Sequence, residues 1–317
     1  MSYLLDNIDV RLLRALSIDC SRSITQIAKK SRIARGTAAY RISIMEKEGI
    51  ILKYKTLIDY AKMGLNYGRI AIKLIDNSKV EHEKIVKELS ENKAVAWFAS
   101  TEGKYDLIAS LLYEKNSDFE KVITSIKNKH GSNIEDIRIS ILNKLHMCGN
   151  NFISQEVFVD PIKINYSAAT AEIDVLDKKI LFQLSEELNY NAVKICENLN
   201  ITPKTFIVRK KILEKKKIIL GYWIEINKEH FNLSTYQVLC KFNTFDSITI
   251  KRLHEYISRL TETEYISETI GSTDYEFYLS TKDDKSLYLI LNKIKENFPT
   301  FIRSFEHILI LKEHKYF

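Results

Sequence analysis

Apolar residues recur at helical spacing from the start of the chain. Leu5, Ile8, Leu12, Leu13 and Leu16 fall on one face of a segment from Leu4 to Leu16, with Asp6 placed to cap it. Ser23 to Ser31 reads as a second short helix, capped by Ser23, with Ile27-Ala28 turned inward. Arg32-Ile33-Ala34 interrupts, and Ile33 would plug the corner. A third helix runs from about Arg35 to Lys47 and stops at Gly49, a residue suited to a left-handed position after a helix. "IILKYKTLID" then alternates like a strand. Three short helices, a tight turn between the second and third, and a following strand describe a winged helix-turn-helix.

The pattern then changes period. Tyr67–Ile75 alternates as a strand, and Lys79–Ser90 is an amphipathic helix. Val95–Thr101 and Leu107–Tyr113 are strands around "EGKYD". Ser117–Lys129 is a helix capped by Ser117, and Ile134–Leu142 is the last strand. The order βαββαβ is the ferredoxin-like split. An antiparallel sheet of this kind leaves one face without helices. An apolar free face needs a partner, and a second sheet is the obvious one.

The same pattern is written again 168 residues later. Asp6 and Asp9 meet Asp174 and Asp177; Thr37 and Arg41 meet Thr205 and Arg209; Glu46-Lys47 meets Glu214-Lys215. Thr101, Gly103 and Asp106 meet Thr269, Gly271 and Asp274, and His146 meets His314. The register holds without a gap over about 140 positions, so the chain is an internal duplication. Two copies are too few for a solenoid, so each is expected to fold around its own core. Helices at Ile173–Leu184, Asn191–Leu199 and Pro203–Lys217 form the second head, with Thr202 as cap. Strands at Thr235–Asn243, Glu264–Ile270, Tyr275–Thr281 and Phe301–Leu311, with helices at Ser247–Leu260 and Lys285–Glu296, form the second sheet unit.

The fold class is therefore α+β. A first winged helix-turn-helix occupies 1–63 and a first ferredoxin-like domain 64–146. A linker covers 147–171, with one short strand at Glu156–Val159. The second head occupies 172–230 and the second ferredoxin-like domain 231–317.

Charge singles out the first head. The chain has 317 residues and a formal charge of +7. Met1 to Met63 holds 12 Lys/Arg against 6 Asp/Glu, so most of the excess lies there. A localised basic field suggests a polyanion partner. The second head is less basic, with 11 against 9 between Glu172 and His230. No run of about 18 apolar residues predicts a membrane span. The N-terminal pattern is neither a signal nor a transit peptide. Four scattered cysteines, Cys20, Cys148, Cys196 and Cys240, read as reduced thiols in a cytoplasmic protein and not as a disulfide frame. The seven histidines show no metal spacing, and neither a metal nor a cofactor is expected.

In a winged helix-turn-helix the third helix enters the DNA major groove and its N-terminal residues reach base edges. The candidates in copy one are Arg35, Thr37, Tyr40, Arg41 and Ser43. In copy two they are Lys204, Thr205, Arg209 and Lys211, with Ile207 beside them. Arg and Lys can reach guanine or phosphate. Lys29, Lys53, Lys55, Lys215 and Lys216 are assigned to phosphates. A charged helix face is ordinarily just solvated; the motif context favours DNA contact for Arg35 and Arg41. Copy two departs at one core position, where Lys210 stands in place of Ile42 and must snorkel or rotate the helix.

"LDNIDVRLLRAL", "ITQIAKKSRIARGTAAYRISIMEKEGIILKYKTLID" and "STEGKYDLIASL" resemble the Lrp/AsnC family of feast/famine regulators. So do "EIDVLDKKILFQL", "NITPKTFIVRKKILEKKKIILGYW" and "ETIGSTDYEFYL". The resemblance covers nearly the whole chain, twice. It implies a sequence-specific double-stranded DNA-binding transcription regulator and a homo-oligomer formed through the ferredoxin-like sheets. It also implies a small effector, such as an amino acid, near the Gly-x-x-Asp hairpins. By position that effector site falls on Thr101, Gly103, Asp106, Thr269, Gly271 and Asp274. The residue-level alternative is that both glycines serve a turn and both aspartates cap it. One fused chain is expected to stand in for a family dimer.

Two other readings remain. A ligand sensor or interaction protein with weak or no DNA binding would show no salt-dependent affinity. A siroheme-decarboxylase-like enzyme, which resembles this architecture, would carry a histidine in the second sheet strand. The regions "AVAWFASTEGKYD" and "TEYISETIGSTDYEF" have none. No nucleophile elbow, P-loop or dinucleotide fingerprint appears, so an enzyme is not expected.

Overall fold

The computed structural model describes residues 3–75, 79–154, 156–186 and 192–315. Head one is α1 (Asn7–Ile18), α2 (Ile24–Ser31), α3 (Arg35–Lys47) and β1 (Ile51–Ile58). The first sheet unit is β2 (Asn66–Leu74), α4 (Lys79–Glu91), β3 (Val95–Gly103), β4 (Leu107–Tyr113), α5 (Asn116–His130) and β5 (Ile134–Met147). A short β6 (Ile162–Asn165) leads to head two: α6 (Val175–Glu186), α7 (Ala192–Leu199), α8 (Pro203–Lys215) and β7 (Ile219–Ile226). The second unit is β8 (Ser234–Phe242), α9 (Ser247–Ser258), β9 (Thr263–Gly271), β10 (Tyr275–Thr281), α10 (Asp284–Asn297) and β11 (Ile302–Lys315). The fold is α+β, with both winged helix-turn-helix units and both βαββαβ units in the expected order. Asn191, placed at a helix start by the sequence, lies outside the described residues.

Local chemistry sets the helix starts. Asp6 accepts from the backbone N–H of Ile8 and Asp9, while Asp9 accepts from the N–H of Asp6, a reciprocal capping box. Ser23 and Gln26 do the same for α2, and Thr202 caps α8 before Pro203. The expected cap at Ser117 is not used: α5 starts one residue earlier, after Lys115, without a side-chain cap. Gly49 takes the expected left-handed φ of 69°, and in copy two Lys217 takes it at 55°.

The two sheet units close on each other. Strand order runs β2-β4-β3-β11-β8-β10-β9-β5, and β5 pairs back to β2. Eight antiparallel strands thus form a closed barrel within one chain, with β6 added beside β5. Closure removes the sheet edges that would otherwise recruit another chain. The homo-oligomer expected through these sheets would therefore need another surface.

Period-2 alternation gives the barrel two environments. Ile70, Ile72 and Leu74 of β2 pack under α4 and α5, and Tyr236, Val238 and Cys240 of β8 pack under α9 and α10. The inner face is not purely apolar. Arg69 and Glu276 form a buried ion pair there, one residue from each copy. Gln237 and Thr273 also donate to Glu276, at 2.9 and 2.5 Å. Such a pair is tolerated inside a barrel because the remaining carboxylate lone pairs are satisfied.

The expectation that each copy folds around its own core is overturned in the heads. β1 and β7 pair antiparallel, Tyr54 opposite Ile224, as a two-stranded ribbon. Ile224 and Ile226 of copy two fill the core of head one with Leu12, Leu13 and Met45. Ile58 of copy one fills the core of head two with Ile180, Leu181 and Phe206. Backbone bonds lock the exchange: Cys20 N–H donates to Tyr222 at 3.0 Å and Asp59 N–H to Ile218 at 2.8 Å. Each head completes its apolar burial only with a strand of the other.

The linker is also built in. Its strand lies at Ile162–Asn165 and not at Glu156–Val159, because β5 runs on to Met147 and offers an edge there. The upstream stretch instead clasps head one. Arg14 pairs with Glu156 at 3.1 Å and lies over the Phe158 ring, and Asn150 donates to Ser17 and to the Ile224 carbonyl. Among the described residues no helix is long and apolar enough to cross a membrane, and no group of three His, Cys, Asp or Glu could hold a metal ion. All four cysteines are free thiols.

Candidate nucleic-acid interface and hairpin cleft

In head one, α2 ends at Arg32 with a left-handed φ of 56°, and Ile33 plugs the corner before α3 as expected. Asn200 makes the same turn in copy two at 52°. Ala38, Ile42 and Met45 bury one face of α3. Arg35, Thr37, Tyr40 and Ser43 are left exposed, Tyr40 at 67%. Four of the five residues assigned to DNA in copy one thus share an open helix with no competing ion pair among the described residues.

Arg41 does not share that position. Its Nη1 lies 3.1 Å from Asp6, 3.3 Å from Asp9 and 3.0 Å from the Tyr3 hydroxyl. The Asp9 carboxylate beneath it is fully buried. Arg209 repeats the arrangement, 2.5 Å from Asp174 and 3.2 Å from Asp177. The backbone N–H of Asp177 and then the Arg209 guanidinium hold the Asp174 carboxyl below its ordinary range. The Asp-x-x-Asp opening and the Thr-x-x-x-Arg of the third helix are thus two ends of one clamp tying the first helix to the third. Each guanidinium is engaged within its own head, in competition with any contact to DNA.

In copy two Lys204 and Lys211 are exposed, whereas the Thr205 N–H and hydroxyl are engaged by Thr202 at 3.1 and 2.9 Å. Lys210 snorkels as its position required: its Nζ lies 3.2 Å from Glu214 and 4.7 Å over the Tyr222 ring. Ile207, Val208 and Ile212 are exposed beside it. Among the lysines assigned to phosphates, Lys29, Lys215 and Lys216 are exposed. Lys55 is instead turned inward against Glu225.

The hairpins are the second candidate region. Gly103 and Gly271 have φ of 124° and 128°, and a Cβ on Gly271 would come within 2.6 Å of the Ile139 carbonyl oxygen. Each glycine sits on a seam of the barrel, Gly103 opposite Ile308 and Gly271 opposite Ser140. Asp106 accepts from the Leu74 N–H at 2.7 Å and pairs with Lys73 at 3.1 Å. Asp274 accepts from the Phe242 N–H at 2.9 Å and pairs with Lys241 at 3.3 Å. Thr101 and Thr269 donate to the carbonyls of Tyr105 and Thr273. All six residues assigned to an effector hold the hairpins in shape. The residues between them, which the sequence reading passed over, line a cleft of about 270 Å³: Lys104 and Tyr105 from one hairpin, Ser272 and Thr273 from the other, with Arg138 and Lys241. For the four loop residues the signal was only their place inside the Gly-x-x-Asp hairpins, whereas Arg138 and Lys241 come from β5 and β8.

An AsnC-type helix-turn-helix domain model matches residues 5–46. An uncharacterised HTH-type transcriptional regulator of Pyrococcus horikoshii is 30% identical over 148 residues, covering 45% of this chain and 97% of the relative. The regulatory protein AsnC of Haemophilus influenzae is 26% identical over 121 residues, covering 38% of this chain and 80% of its own. Such relatives match about half of this chain, as a duplicated protein would show. Over its whole length the chain is similar in fold to the siroheme decarboxylase NirDL. The TM-score is 0.65 at 12% identity, covering 98% of this chain and 93% of that one. That identity establishes shared architecture and nothing about chemistry. The AsnC-type domain match and these relatives support a DNA-binding transcription regulator. The chain belongs to the Lrp/AsnC family.

Proposed function

We propose that this chain performs as one molecule what two copies of a half-length regulator would do together, reading double-stranded DNA in a sequence-specific way through two unlike heads. The observation carrying this reading is the β1–β7 ribbon with its exchanged strands, which holds both recognition helices in one fixed relation. Head one is the stronger reader, through Arg35, Thr37, Tyr40 and Ser43; head two contributes Lys204 and Lys211. The half-sites need not be palindromic because the heads differ. The hairpin cleft accepts a small carboxylate-bearing effector of amino-acid type, with Arg138 and Lys241 near its charge and Ser272 and Thr273 as hydrogen-bond partners.

The test is fluorescence anisotropy with duplex DNA from the region upstream of the protein's own gene, against a scrambled duplex, across a salt series. Wild type should prefer its own duplex and lose affinity as salt rises. Arg35→Ala should weaken that preference by about 1–3 kcal/mol. Lys204→Ala should lower both affinities alike, as loss of a phosphate contact does. Binding that ignores salt would remove the regulator reading.

A further inference from the structure

A separate chamber of about 160 Å³ lies between the wing ribbon and the barrel, away from the recognition helices and the hairpin cleft. Strands β1 and β7 line it with Lys55, Leu57, Trp223 and Glu225; barrel strands line it with Trp97, Tyr265, Tyr278 and Glu313. Both tryptophans of the chain are therefore in its wall.

Four rings run around it edge to face. Trp97 meets Tyr278 at 6.1 Å and 89°, Tyr278 meets Tyr265 at 6.0 Å and 82°, and Tyr265 meets Trp223 at 6.3 Å and 76°. The face of one ring already takes a cation, since the Arg69 guanidinium lies 5.6 Å from the Tyr278 centroid. The charges of the wall pair off, with one exception. Lys55 pairs with Glu225, Lys228 with Glu264 at 2.7 Å, and Arg69 with Glu276. Glu313 accepts a hydrogen bond of 2.7 Å from the Trp97 indole N–H, and no lysine or arginine forms an ion pair with it among the described residues. Burial pushes its carboxyl up, with the fields of Lys228 and Lys55 only partly opposing. Nearby, Tyr166 packs on Tyr67 and ends in a buried hydroxyl without a hydrogen-bond partner among the described residues.

We propose that this chamber binds a small organic ammonium ion, its charge against Glu313 and its body among the four rings. A carboxylate left over after every cation has paired attracts a positive group, and aromatic faces attract the same group while excluding water. An anion would meet Glu313 as a like charge. A neutral molecule would leave the carboxylate uncompensated. The bound ion would touch the strands that leave both recognition helices, α3 into β1 and α8 into β7. The chamber is thus placed to bias both heads at once, whatever occupies the hairpin cleft.

Tryptophan fluorescence reads the chamber directly. The full chain would be titrated with benzylamine, and with benzyl alcohol and benzoate as neutral and anionic analogues of similar shape. Benzylamine should give a saturable change, with affinity roughly tenfold or more above the other two. Glu313→Gln, checked for folding by circular dichroism, should abolish that preference. Lys241→Ala in the hairpin cleft should preserve it. The proposal is overturned if benzylamine gives no saturable change, if the three probes bind alike, or if folded Glu313→Gln keeps the preference. Should Glu313→Gln not fold, the three-probe series on wild type decides alone.

Discussion

α3 exposes Arg35, Thr37, Ser43 and, among large apolar side chains, Tyr40; α8 exposes Ile207, Val208 and Ile212. Beneath these surfaces the heads agree. Each has an arginine clamped on two aspartates, and each has a tyrosine donating to a glutamate, Tyr54 to Glu46 at 2.5 Å and Tyr222 to Glu214 at 2.6 Å. The residues that orient the helices recur, whereas exposed Tyr40 and Ser43 of α3 correspond to Val208 and Lys211 of α8. The barrel interior adds a second asymmetry. Arg69 of copy one corresponds to Gln237 of copy two, and Ile108 corresponds to Glu276. Pairing copy one with itself would bury two arginines, and copy two with itself two glutamates. Only a mixed pair of copy one with copy two is neutral, which disfavours pairing of like copies.

The largest effect expected from breaking this asymmetry is at Arg69. Arg69→Ala leaves Glu276 buried without its cation and should lower unfolding free energy by about 3–5 kcal/mol in a denaturant titration. Arg69→Gln, the residue type of copy two, should lie between. A loss below about 1 kcal/mol would mean that the ion pair does not hold the copies together.

The equivalent histidines give a smaller, pH-dependent contrast. His146 is buried against His254 with both ring nitrogens unpartnered among the described residues, and burial, then His254, Lys163 and Lys144, push its pKa down to about 3. His314 is half-buried, stacked on Phe98 and 2.7 Å from the Ser100 hydroxyl. A folded-state pKa depressed below the unfolded value of His146 gives stability that is complete above about pH 6.5 and is lost as pH falls toward 3. The slope is at most roughly 1.4 kcal/mol per pH unit. His146→Phe should flatten the acid side of the stability profile more than His314→Phe does. Equal profiles for the two variants would contradict the contrast.

The smallest effect sharpens the comparison of the heads. Lys210→Ile gives α8 the core residue of α3. The lysine stem already packs over Tyr222, so the gain in melting should correspond to under about 1 kcal/mol. A clear loss would show that the Lys210–Glu214 pair matters more than the buried methylenes.

Much of the fold was legible because local rules and tertiary structure agree there. Capping at Asp6, Ser23 and Thr202, the stop at Gly49 and the period change at Tyr67 all appear where the pattern put them. The linker strand was misplaced because "EVFV" has strand propensity, but Phe158 N–H is taken by Asn151 and its ring by head one. The site was less legible. Arg35 and Arg41 look alike in sequence. Only the approach of α1 brings Asp6 and Asp9 under one of them. Lys55 likewise reads as an exposed strand lysine until β7 places Glu225 beside it.

By itself the sequence determined the duplication, the order of elements, the hairpin turns and the family, because each rests on spacing along the chain. The tertiary structure alone decided that the wings are exchanged, that the sheets close within one chain, that Arg41 and Arg209 are clamps, and that a chamber opens under the ribbon. Periodicity shows which face of an element leaves water. It does not carry the identity of what that face meets, and here the partner lies most often in the other copy.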